Sequence, residues 1–163
     1  MAKLEIFLTQ GSGEGATEEG AYCKALEKAG LINLNLICLS SVLPHNSKII
    51  NKKPNYSYND YGKKVYVILS QARTFSKGKT ICAGIGWIKE KGDSGNGIVV
   101  EIQGNSGKKV EKDIKNSLSE IMKYRKEKFK KEINIAAEEI TCKDKPVCAL
   151  VIMAFGKAHG WGK

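Results

Sequence analysis

From Lys3 to Thr9 the chain sets Leu4, Ile6 and Leu8 against Lys3, Glu5 and Phe7. That period-two alternation predicts a first strand. The run Gly11-Ser12-Gly13-Glu14-Gly15 follows and reads as a turn needing unusual backbone angles. Ala16–Ala29 then carries Ala21, Ala25, Leu26 and Ala29 on one helical face, with Gly30 placed to stop the helix. Leu34–Leu39 is a nearly continuous apolar run, the pattern of a short strand buried on both faces. Pro44 ends regular pairing soon after. Asn46–Lys64 is polar and reads as a long loop.

The second half alternates more clearly. Lys64–Ala72 places Val65, Val67 and Leu69 on one face and Tyr66 and Ile68 on the other. Thr80–Lys89 and Gly97–Gln103 predict two strands joined across the Gly-, Asp- and Ser-rich turn Glu90–Asn96. Lys108–Glu132 spaces Val110, Ile114, Leu118, Ile121 and Phe129 as an amphipathic helix, its other face mostly Lys and Glu. Ile133–Thr141 and Pro146–Phe155 complete the strands, and Lys157–Lys163 reads as a fraying tail. Six or seven strands with two helices cannot cover both faces of a parallel sheet. The expectation is α+β in layers, each helix covering one sheet face, in one domain over residues 1–163.

Charge changes this picture only a little. The 163 residues carry 27 Lys and Arg against 17 Asp and Glu, a net charge of +10. Nearly all of that is Lys, with Arg73 and Arg125 the two arginines. Sequence-reading nucleic-acid binders lean on Arg and aromatics, so a solvated Lys surface is the preferred reading, and nucleic acid is not an expected partner. No apolar run reaches the roughly 18 residues of a membrane span, and no secretory leader is visible; a cytoplasmic protein is expected. Five Cys cannot all pair within one chain, and their spacing lacks paired metal ligands. Reduced, mostly buried thiols and no metal site follow. His45 and His159 lie in no recognisable triad.

The segment Leu39-Ser40-Ser41-Val42-Leu43-Pro44 gains meaning with what precedes it. Taken together with Gly11–Thr17, Ala21, Ala25-Leu26, Ala29-Gly30, Asn33 and Asn35–Ile37, it resembles the pyruvoyl-dependent arginine decarboxylases. The resemblance runs without a gap from Gly11 to Pro44, then resumes at Gly97–Gly104, the charged helix and the last apolar strand. It implies a four-layer αββα sandwich of mostly antiparallel sheets. It also implies self-cleavage between Ser40 and Ser41 into residues 1–40 and 41–163. The Ser41 hydroxyl attacks the Ser40 carbonyl and converts the peptide to an ester; β-elimination cuts the chain, and the dehydroalanine left at position 41 hydrolyses to a covalent pyruvoyl group. Ser, Thr or Cys alone can provide the attacking atom.

By the same resemblance the substrate is a free amino acid, arginine foremost, converted to agmatine and carbon dioxide. The pyruvoyl group serves as electron sink. Glu101 is the implied proton donor, and since an ordinary carboxyl is ionised at pH 7, it must be shielded by burial. Asn35, Leu26, Ser40 and Val42 are the implied substrate contacts. Trimers, often paired, with each site built between subunits, are the implied assembly. Cys23 departs from the pattern: it stands where the family places an aspartate for the guanidinium, and a neutral thiol makes no charge-assisted pair. Glu19, one helical turn earlier, or Asp60 is a candidate replacement acid. The rival expectation is an uncut, non-catalytic paralogue that keeps the trimeric scaffold as a partner subunit or basic binding module.

Overall fold

The structure, a computed structural model, describes residues 3–162. Its elements run β1 (Leu4–Glu14), α1 (Glu18–Ala29), β2 (Asn35–Cys38), β3 (Val42–Leu43), β4 (Ser47–Asn51), a short 3-10 turn at Tyr58–Asp60, β5 (Lys64–Thr74), β6 (Thr80–Lys89), β7 (Gly97–Gly104), α2 (Gly107–Lys123), β8 (Asn134–Thr141) and β9 (Val147–His159). A five-stranded sheet in the order β2-β5-β9-β1-β4 faces a four-stranded sheet in the order β3-β7-β6-β8. The second is antiparallel throughout, whereas the first is mixed, with β1–β4 and β2–β5 parallel.

Three packed interfaces make the four layers. Ala21, Ala25, Leu26 and Ala29 of α1 meet Val65, Val67, Leu150 and Ile152 on the outer face of the first sheet. Ile6, Leu8, Ile68, Val151 and Met153 pack from that sheet against Ile85 and Val99 of the second. Val110, Ile114 and Leu118 of α2 close the far side over Cys82, Ile98 and Val100. Strand β9 lies centrally and is buried on both faces, which explains its unbroken Val147–Phe155 run. The expected αββα sandwich is therefore the one observed.

Several local expectations fail, each for a non-local reason. The Gly-rich run is no turn; β1 continues through it as far as Glu14. Gly11, Gly13 and Gly15 all have ordinary negative φ, and what they supply is space. A Cβ on Gly11 would sit 2.3 Å from the Ala25 carbonyl oxygen, and one on Gly13 would sit 2.4 Å from that of Ala21. Missing side chains let α1 lie directly on the strand. A Gly13→Ala chain should consequently be destabilised by about 1–3 kcal/mol, the usual cost of overpacking, which a thermal melt followed by circular dichroism would register. An unchanged melting temperature would mean that α1 does not press on β1.

Helix α1 ends where Gly30 was expected to stop it, but it begins at Glu18, two residues after the expected Ala16. Thr17 accepts a hydrogen bond from the Gly20 N–H, and Gly30 takes φ 83° to close the C-terminus. Leu34–Leu39 differs from expectation: β2 is an edge strand, with Asn35 and Cys38 exposed. The Asn46–Lys64 loop hides β4, which pairs parallel to β1 from Leu4↔Ser47 to Leu8↔Asn51. Helix α2 stops at Lys123, nine residues before the expected Glu132, and Phe129 instead bridges to Glu90. The tail does not fray from Lys157, since β9 runs to His159. Cys82, Cys142 and Cys148 are buried, but Cys23 and Cys38 are exposed; burial pushes the Cys82 and Cys148 thiols up to about 11.

Candidate active site

The segment between β2 and β3 is held at both ends. Leu39 N–H donates to the Val67 carbonyl at 2.8 Å, and Val99 N–H donates to the Ser41 carbonyl at 2.9 Å. The short β3 then pairs with β7 through Val42↔Ile98 and Leu43↔Gly97. So residues 39–43 pass from the first sheet to the second, and Ser41 lies at the crossing. Between these anchors Val42 N–H donates to the Ser40 carbonyl at 2.7 Å, closing a three-residue turn with Ser41 at its tip. Ser41 is not among the residues of positive φ; the turn is tight, without left-handed backbone.

Glu101 reaches this tip from β7. It is two residues from Val99, so both side chains share the face turned toward the first sheet, while Val100 and Ile102 pack with α2 on the other. The face left undecided by alternation is thus the inward one. Ser41 Oγ donates to Glu101 Oε2 at 2.5 Å, the length of a charge-assisted hydroxyl–carboxylate bond. Glu101 is half-buried in the single chain, so shielding from water is incomplete there. Ser70 pins its neighbourhood: fully buried, it donates through Oγ to the Ile102 carbonyl at 3.0 Å and accepts from Gly84 N–H at 3.2 Å. That residue escaped sequence reasoning, although a lone hydroxyl inside Val67-Ile68-Leu69-Ser70 was its visible signal.

Three groups therefore converge: a hydroxyl, a carboxylate that accepts its proton, and a carbonyl oxygen already holding a backbone N–H. Such an arrangement can draw a proton from Ser41 and stabilise negative charge on the oxygen of Ser40. A family model described as pyruvoyl-dependent arginine decarboxylase matches residues 5–160. The chain belongs to the pyruvoyl-dependent arginine decarboxylase family. A curated protein of that name from Thermococcus sibiricus is 34% identical over 147 residues, 90% of each chain. Another, from Pyrococcus furiosus, is 33% identical over 140 residues, covering 85% of this chain and 86% of its own. The family carries a covalent pyruvoyl group derived from serine. The surroundings of Ser41 fit such a group, because the hydroxyl and the carbonyl it must attack belong to adjacent residues in one closed turn.

Of the remaining residues singled out for this pyruvoyl-dependent family, two lie beside Ser41 and the others elsewhere in the chain. Ser40 and Val42 flank Ser41 and are exposed, Val42 at 49%. Leu26 and Cys23 sit on α1, across the first sheet; Leu26 packs into the α1 core and Cys23 is exposed. Asn35 opens β2, and its Nδ2 donates to the Gly62 carbonyl at 2.7 Å. Both candidate replacement acids are engaged. Arg73 binds Glu19 and stacks over the Tyr22 ring at 4.1 Å. Ser57 N–H and Lys63 Nζ both donate to Asp60 at 2.9 Å, and they hold its carboxyl below the ordinary value. Among the described residues, no helix is long and apolar enough to cross a membrane.

Proposed function

We propose that this chain cuts itself between Ser40 and Ser41 and then decarboxylates a free amino acid, arginine foremost, to agmatine and carbon dioxide. The observation that carries this reading is the 2.5 Å bond from Ser41 Oγ to Glu101 at the tip of the Ser40–Val42 turn. Glu101 takes the Ser41 proton as Oγ attacks the Ser40 carbonyl carbon. Val42 N–H faces the oxygen on which negative charge grows. The adduct collapses as the bond from the Ser40 carbonyl carbon to the Ser41 nitrogen breaks, the nitrogen taking the proton from Glu101, which leaves an ester and a free amine. Removal of the residue-41 α-proton then breaks the Cβ–Oγ bond, expels the Ser40 carboxylate and separates the two chains. Hydrolysis of the resulting dehydroalanine releases ammonia.

Once formed, the pyruvoyl group supplies an electron-withdrawing carbonyl that binds the substrate amine and takes up the charge left as carbon dioxide departs. Glu101 returns a proton to the substrate α-carbon, replacing the lost carboxylate. Asn35, Leu26, Val42 and the Ser40 carbonyl border the substrate. Because Leu26 and Ser41 lie on opposite sides of the first sheet in one chain, the complete pocket forms between copies in a trimer. A neighbouring subunit also supplies the shielding that a proton-donating Glu101 needs. Sedimentation of the purified protein at three chain masses is expected, and a monomeric active enzyme would remove this part of the proposal.

Substrate choice is tested at position 23. Cys23 is exposed and neutral, and Glu19 and Asp60, the two candidate replacement acids, are already paired with Arg73 and Lys63. A Cys23→Asp chain is expected to lower KM for arginine about ten- to a hundredfold, the worth of one charge-assisted hydrogen bond. Carbon dioxide release across a panel of amino acids reads this directly. If the substitution leaves arginine unaffected and another amino acid is turned over faster, arginine is the wrong substrate.

A further inference from the structure

The carbonyl of Gly62 accepts two side-chain donors, and only one of them belongs to the site residues described so far. Asn35 Nδ2 donates at 2.7 Å and Trp161 Nε1 at 2.8 Å. Two donors on one oxygen place their nitrogens within about 5.5 Å of each other, the two bond lengths laid end to end. Gly62 is itself fixed, with φ 74° and its N–H donating to the Asn33 carbonyl at 2.7 Å. The indole is therefore tied to the turn that orients Asn35, across 99 residues of sequence.

The ring also already acts as a cation site. Lys64 Nζ lies 4.8 Å from its centroid, within cation–π range. Trp161 is nonetheless 67% exposed, so indole surface remains open. Tyr58 and Tyr61, at 86% and 64% exposure, stand on the same turn beside a hollow of about 580 Å³ that includes Asn33. Asp60, on the same turn, is held by Lys63 and Ser57. The turn beside Asn35 thus offers aromatic faces, and its own acid is already paired.

We propose that Trp161 is the receiving surface for the substrate's side-chain cation, its indole stacking on a guanidinium held beside Asn35. This rests on the reading that Asn35 borders the substrate. Guanidinium is planar and weakly hydrated, so it gives up water to stack on an aromatic face more readily than a compact ammonium does. Recognition by ring and not by carboxylate also accounts for arginine binding in a chain with Cys23. Lys64 competes for the same ring.

Kinetics and fluorescence test this separately. Trp161→Leu should raise KM for arginine about three- to thirtyfold with kcat little changed, and Trp161→Phe should recover most of the loss. Lys64→Met should lower KM several-fold; a rise would overturn the competition and with it the stacking site. In a Trp87→Phe chain, Trp161 is the sole tryptophan. Arginine should change its emission, while citrulline, the uncharged analogue, should not at equal concentration. Should arginine perturb the emission without being decarboxylated, the stacking site stands and the enzymatic reading falls. Should Trp161→Leu decarboxylate arginine with unaltered KM, or both ligands leave the emission unchanged, the stacking site falls while the enzymatic reading is judged by carbon dioxide release.

Discussion

Replacing Ser41 with alanine is expected to leave one unbroken 163-residue polypeptide that releases no carbon dioxide from any amino acid. The methyl group of alanine has no atom that can attack the Ser40 carbonyl, so the ester cannot form, the chain cannot part and no ketone arises at position 41. Folding should survive, since Ser41 is half-buried and its side chain makes one hydrogen bond, to Glu101; losing it costs on the order of 1–3 kcal/mol. Intact mass is the decisive measurement. Wild-type protein should resolve into residues 1–40 and 41–163, the larger blocked by a carbonyl that reacts with hydroxylamine or a hydrazide. Ser40→Ala makes the control: attack falls on a backbone carbonyl, so the Ser40 hydroxyl is dispensable and the cut should still occur. Wild-type material that stays whole through prolonged incubation would leave the uncut scaffold as the better description.

Glu101→Gln should be the second most damaging change, and it separates two tasks of one carboxyl. An amide keeps the shape and can still bond to the Ser41 hydroxyl, but it cannot take that proton. Processing should slow by at least about a hundredfold, and the fraction that does cut should turn over about 10² to 10⁴ times more slowly, the usual yield of general acid–base catalysis. Cleavage is followed by gel and mass, turnover by carbon dioxide release normalised to the carbonyl-tagged chain. Normalisation matters, because a mere processing defect would show full activity per pyruvoyl chain. Full activity on that scale would remove Glu101 as the proton donor and leave it a role in self-cleavage alone.

Both expectations depend on a pair 60 residues apart in sequence, and alternation along Gly97–Gly104 could not pair them. Period two says that Val99 and Glu101 share a face; it does not say which face. The answer came from α2, whose Val110, Ile114 and Leu118 claim Val100 and turn Glu101 inward. The Ser40–Ser41 step was visible as part of a family-like segment, yet its reactive geometry was not. The Val42 N–H on the Ser40 carbonyl exists because β3 pairs with β7 just beyond it.

Sequence by itself determined the features that spacing of a few residues can encode. The alternation of β5, the apolar stripe of α2, the Gly30 stop of α1 and the apolar Val147–Phe155 stretch of β9 follow from local period, capping chemistry and composition. Their sum was enough for the layered α+β arrangement. Tertiary structure alone decided what depends on partners distant along the chain. Strand β4 has only Ile49 and Ile50 as apolar residues, and it is a strand because the edge of β1 needs backbone partners. Gly11 and Gly13 signalled a turn in isolation and became straight strand once a helix had to lie against them. Trp161 looked like part of a loose tail until the Gly62 carbonyl offered it a bond. Backbone pairing and close packing are satisfied between segments, so a reading that travels along one segment at a time cannot contain them.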